Sequence, residues 1–205
     1  MTAETAEGNA LDLAWPEEGL IALFGHGLEA LCELQRLGGA HGDLQPRYLS
    51  VEAGCFKLIE PLAEATESMQ RQMANYAQGR EAYLPPDLWA ELGRGRLPQG
   101  CETIRLDLFA LGVIVLERLV GRRQLREVYS PRDARPGKLQ ALLNALIARC
   151  EAYRVRVFLG FLRDCVLRDS AAEVMRPADA ARVLFEIAAL RPVWLFPLGD
   201  RGSSS

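Results

Sequence analysis

From Glu17 to Leu37 the apolar residues fall at Leu20, Phe24, Leu28, Leu31, Leu34 and Leu37. Spacings of three and four predict an amphipathic helix, and Gly38-Gly39 supplies its stop. Gly25 and Gly27 each weaken that helix by about 1 kcal/mol relative to Ala, or permit close packing of a neighbouring helix. Leu49-Ser50-Val51, the Glu52-Ala53-Gly54 turn and the run from Cys55 to Ile59 predict a small hairpin. Residues 60–78 are polar, with Met69, Met73 and Tyr76 at helical spacing, and predict a short helix inside a loop. After Pro85-Pro86 a helix can begin at Asp87, because the second proline's missing N–H is not needed there.

Leu108 to Leu119 is apolar nearly all round and predicts a buried central helix, with Asp107 at its start and Gly121 just past its end. An Arg-rich loop is expected over residues 121–137, then helices over 138–153, 155–168 and 177–190. Residues 1–16 carry no periodicity and are expected to form an arm. Residues 191–205 form a tail containing Pro192-Val193-Trp194-Leu195-Phe196-Pro197 and a Gly/Ser end expected to be disordered. Residues 17–190 make the domain between them.

The 205 residues, 49% hydrophobic and 25% charged, suit one soluble domain with a substantial core. A net charge of -3 argues against a nucleic-acid partner. No uninterrupted apolar run is long enough to predict a membrane span, and the acidic N-terminus does not read as a secretory signal. Cys32, Cys55, Cys101, Cys150 and Cys165 are widely spaced and odd in number. That pattern predicts reduced thiols in a cytoplasmic setting, with no metal centre and no cofactor. Charge is segregated: residues 1–35 hold acids and no Lys or Arg, whereas residues 117–138 hold seven basic groups against three acids. The bland account is two solvated faces of opposite sign; the sharper one is an acidic partner for the basic stretch around Arg122, Arg123 and Arg126.

The most informative stretch is His41-Gly42-Asp43-Leu44-Gln45-Pro46-Arg47-Tyr48-Leu49, between the first helix and the hairpin. It resembles the H-R-D-L-x-x-x-N catalytic loop of protein kinases. Its first four residues also occur in aminoglycoside-phosphotransferase-like kinases, so the downstream segments decide. Gly79 followed by Tyr83-Leu84-Pro85-Pro86-Asp87 looks like the close of a protein kinase activation segment. Asp107-Leu108-Phe109-Ala110-Leu111-Gly112 looks like the start of the large central helix of the kinase C-lobe. Cys165-Val166-Leu167-Arg168-Asp169, then Met175-Arg176-Pro177, looks like the signature before the last helix. The resemblance spans residues 17–190 and implies a mainly α fold, a protein-kinase-like C-terminal lobe with a small β-hairpin and no N-lobe.

The departures from that pattern remove the chemistry. In a kinase the Asp accepts the substrate hydroxyl proton and the Asn holds magnesium. Here Asp43 stands in the first position as a vestige, but the second is Tyr48, and a phenol does not replace an amide carbonyl on a hard cation. The phosphate-neutralising Lys is Gln45, the regulatory Arg is Gly42, and D-F-G becomes Glu60-Pro61-Leu62. Sixteen residues precede Glu17, with no strand pattern and no Lys, so a glycine-rich ATP loop is not expected.

The resemblance therefore implies no enzyme, but a pseudokinase-like interaction module, acting as a scaffold or structural subunit with protein partners. Two alternatives remain: a divergent phosphotransferase whose N-lobe function comes from a partner chain, and an allosteric regulator of a true kinase. Expected structural residues are His41, Asp43, Asp107 and an Asp87–Arg176 ion pair beneath the activation segment. Expected contact residues are Leu49, Val51 and Ile59 on the uncovered cleft floor, Arg122, Arg123 and Arg126, and Trp194 and Phe196 in the tail.

Overall fold

The run around Leu111 becomes the axis of the molecule. In the computed structural model, which describes residues 17–52, 55–58, 83–94, 101–129, 137–168 and 175–190, the chain is mainly helical. Helix α1 spans Glu17–Arg36. A single 3-10 turn at Pro46–Tyr48 leads into strand β1, Leu49–Glu52, which pairs antiparallel with β2, Cys55–Leu58, so that Leu49 faces Leu58 and Val51 faces Phe56. Then follow α2 (Pro86–Gly93), α3 (Cys101–Val120), α4 (Arg122–Val128), α5 (Lys138–Arg149), α6 (Tyr153–Phe161) and α7 (Pro177–Ala189). A π turn at Leu162–Val166 extends α6, with the Leu167 N–H reaching back to the Leu162 carbonyl at 2.7 Å.

Every residue from Leu106 to Leu116 of α3 is buried. Such a helix must be enclosed by others, because no face of it can meet water without exposing apolar surface. It is wrapped by α1, α4 and the π turn. Two glycines set the approach distances. A Cβ on Gly27 of α1 would lie 2.5 Å from Leu111 Cδ1, and one on Gly112 of α3 would lie 2.8 Å from Val166 Cγ1. The two glycines in the first helix therefore serve packing: Gly25 turns to Leu184 of α7, and Gly27 to Leu111 of α3. Phe24 fills the space between α1 and α6, edge-on to Phe158 at 5.5 Å and to Phe161 at 6.0 Å between ring centroids. Such aromatic pairs add about 0.5–1.5 kcal/mol beyond area burial.

Four expectations are corrected. The central helix begins at Cys101, so Asp107 sits inside it rather than at its start. The stretch after Gly121 is not all loop: residues 122–128 form α4, entered through Gly121 at φ 82°. The first helix ends at Arg36, and Leu37 is 65% exposed rather than part of the apolar stripe. Leu49 is buried at 6% exposure, part of the core and not of an open floor. The arm 1–16, the helix expected within 60–78, Ile59, Glu60, Trp194 and Phe196 lie outside the described residues, as does the side chain of Val51. Among the described residues no helix is long and apolar enough to cross a membrane.

The glycine contacts carry a prediction. In an open helix, Gly→Ala stabilises by up to about 1 kcal/mol. Gly160 has nothing within 4 Å of its added Cβ, so Gly160→Ala should raise stability by that order. At Gly27 the clash with buried Leu111 outweighs propensity, and Gly27→Ala should cost about 1–3 kcal/mol. Denaturant titration of the two variants checks the opposite signs.

Candidate functional site

The loop between α1 and β1 is built around a carboxylate from a distant part of the chain. Asp107 projects from the interior of α3 and accepts two backbone hydrogen bonds: from the His41 N–H on Oδ2 at 2.6 Å and from the Gly42 N–H on Oδ1 at 2.8 Å. Gly42 adopts φ 75°, in the left-handed region that a side chain disfavours. That conformation helps both successive amides reach one carboxylate, which gives a backbone reason for glycine at this position.

His41 and Asp43 are both fully buried. The Asp43 N–H donates to His41 Nδ1 at 3.3 Å, closing a small turn. The Asp43 carboxylate accepts from Gln45 Nε2 at 2.5 Å on Oδ1, while Oδ2 lies 3.8 Å from the largely exposed Arg47 guanidinium. Gln45 thus binds the acid two residues before it. Tyr48 packs its ring 5.1 Å from that of His41, and Arg47 lies over the Tyr48 face at 4.9 Å. The Tyr48 ring is thus engaged on both sides by its neighbours. Among the described residues, no three His, Cys, Asp or Glu side chains converge as a metal site would need.

Burial sets the electrostatics. Desolvation raises Asp107 from its ordinary 3.8 to about 7; the two amide hydrogen bonds oppose the shift and the Asp43 charge adds to it. Between those values the folded chain holds a proton that the unfolded chain has lost. Asp107's contribution to stability is therefore fully present below pH 3.8 and declines as pH rises towards about 7.

The segment 83–87 is fastened to the same helix. The Tyr83 hydroxyl donates to Glu117 Oε2 at 2.7 Å. Tyr129, just after α4, donates to the Leu84 carbonyl. Burial pushes both phenols above their usual range, and the Glu117 carboxylate adds to the shift at Tyr83. Asp87 is held by a bidentate pair, from Arg105 Nη1 at 2.7 Å and Nη2 at 2.9 Å. This overturns the expected Asp87–Arg176 pair: Arg176 is exposed and caps α7 through its carbonyl, which accepts the Ala180 N–H. Arg105 went unremarked in the sequence because no motif contains it. Its signal was a lone cation two residues before Asp107, flanked by Ile104 and Leu106.

The structure thus brings His41, Asp43, Asp107 and Asp87 around α3 and leaves Arg176 outside. Arg122, Arg123 and Arg126 are exposed along α4 on the outer side of the fold.

Two outcomes follow from this geometry. Asp107→Asn turns one acceptor into a donor facing a backbone N–H. At pH 5 it should cost about 1–3 kcal/mol, because an amide is left unsatisfied. That penalty should shrink as pH rises towards 7, as measured by denaturant titration across pH 4–8. Arg105→Ala should destabilise by about 1.5–3 kcal/mol, the range for hydrogen bonds to charged groups, since Arg105 is buried and Asp87 one-third exposed. Arg176→Ala should fall within about 0.5 kcal/mol of wild type in the same assay.

No protein-family model matches the chain, and neither a curated protein nor a solved structure does.

Proposed function

We propose that this chain is a catalytically inactive, protein-kinase-like interaction module, acting as a scaffold or structural subunit. The observation that carries the reading is the convergence of three sequence segments on one helix, α3. The His41-Gly42-Asp43 loop is tied to Asp107, and the Tyr83–Asp87 segment to Glu117 and Arg105. The third is Val166-Leu167, which packs on Gly112 of α3. In a kinase C-lobe the matching segments occur in the same order, and the acid at the Asp107 position likewise holds the catalytic-loop backbone.

The same geometry favours an inactive reading. A general base must reach the proton it removes, and its lone pairs must be open to substrate. Asp43 is buried and bonded to Gln45, and Tyr48 stands where a metal-binding amide would be. Phosphoryl transfer depends on positioning and charge neutralisation together, and neither is supported at this loop. What remains is a braced surface. The exposed Arg122, Arg123 and Arg126 on α4 offer an acidic protein partner a cationic contact.

A ligand that prefers the native state raises its stability, by about 2.7 kcal/mol at a hundred times its Kd. Thermal melting of the chain should show no rise with ATP and magnesium. A rise that Asp43→Ala abolishes would restore a nucleotide site and overturn the proposal.

A further inference from the structure

A second feature lies away from the pinned loop, along residues 21–29 of α1. There α1 and α7 border a groove of about 410 Å³, lined by Ile21, Leu28, Ala181, Leu184, Phe185 and Ala188. His26, Glu29 and Arg154 form its polar members. Phe185 is 77% exposed, an unusual position for a large aromatic on a helix that otherwise buries its apolar face. The two helices run antiparallel: Pro177, at the start of α7, lies by Leu31 and Leu34, and Gly25 meets Leu184. The end of α7 therefore lies beside the start of α1, at one end of the groove. Arg154 fixes that end by donating to the Leu190 carbonyl, from Nε at 3.3 Å and Nη2 at 3.0 Å.

We propose that residues 192–197 of the same chain, Pro192-Val193-Trp194-Leu195-Phe196-Pro197, fold back along α7 and seat Trp194 and Phe196 in this groove. Three features favour that occupant. The first is reach. From Ala188 back to Ala181 the groove follows about 10 Å of helix. An extended chain from Leu190 places Trp194 within about 13 Å and Phe196 within about 20 Å. The second is pattern: alternate residues of an extended segment share a face, so Trp194 and Phe196 point the same way. The proline before them, with φ fixed, suits a change of direction after the helix.

The third is charge. The other segment adjoining this end is residues 1–16, which hold Glu4, Glu7 and Asp12 and no Lys or Arg, and lead into Glu17 and Glu18. Glu29 on the groove's rim repels those acids, and the groove's cation, Arg154, is already engaged by the Leu190 carbonyl. Residues 191–205 carry Arg191 and Arg201 against Asp200 alone and bring no such repulsion. The inference stands on the groove and the tail, independently of the function proposed above.

A double-mutant cycle in the full chain tests it, with Phe185→Ala and Trp194→Ala read by thermal melting at two protein concentrations. Phe185 is exposed, so its truncation leaves the core intact. If Trp194 rests on Phe185, each single change lowers Tm, and the double variant melts no lower than the less stable single one. The size of that coupling is then independent of concentration. Additive shifts, or no shift with Trp194→Ala, would overturn the proposal. Coupling that appears only at the higher concentration would give the groove to a second copy. Coupling of Phe185 to Trp15 instead, in the parallel cycle with Trp15→Ala, would give it to the arm.

Discussion

Asp107 places a carboxylate inside the most apolar helix of the chain, where desolvation alone would make it costly by several kcal/mol. The cost is offset by two short hydrogen bonds from successive amides, His41 and Gly42, one to each oxygen. The arrangement works in both directions. The loop gains partners for amides that would otherwise be buried without any, and the helix gains a satisfied acid. The loop is thus fixed to a point 64 residues further along the chain than Asp43. The neighbouring Asp43, His41 and Tyr48 inherit their positions from it, because the turn is short and the ring contacts are local.

Around this constraint the packing follows from small residues at crossing points. Gly27 lets α1 lie on Leu111, and Gly112 lets Val166 and Leu167 lie on α3, each at distances that any Cβ would violate. Two helices held that closely give α3 little freedom to move, and interiors packed at this density transmit strain rather than absorb it. The Asp87–Arg105 pair and the Tyr83 and Tyr129 hydroxyls then fasten the 83–87 segment to the same axis.

Much of this was legible in the sequence, for physical reasons that differ by element. The three-and-four spacing from Leu20 to Leu31 reported a buried stripe directly, and the β-hairpin followed from its Gly-containing turn. Leu37 misled because periodicity continued by one position beyond the residues that could still find a partner. The start of α3 was missed because residues 101–107 mix charge with apolar side chains, and a buried Asp resembles an N-terminal one when only its neighbours are known. The short helix α4 was hidden by its arginines, since a helix exposed on most of its surface has no apolar period; only Leu125 is buried. Asp43 and Asp107 were singled out by motif order, and the structure places both at the loop between α1 and β1. The partner of Asp87 was assigned wrongly, because an ion pair depends on which of several cations the fold delivers, and spacing along the chain carries no information about that.

The central claim is that the His41–Asp43 loop is a structural element clamped by Asp107. Amide hydrogen exchange followed residue by residue tests it most directly, since local openings and global unfolding separate by rate. The account predicts that the His41 and Gly42 amides exchange only as slowly as those in the middle of α3, through unfolding of the whole domain. Exchange at those two amides as fast as at an open loop, with α3 still protected, would contradict it.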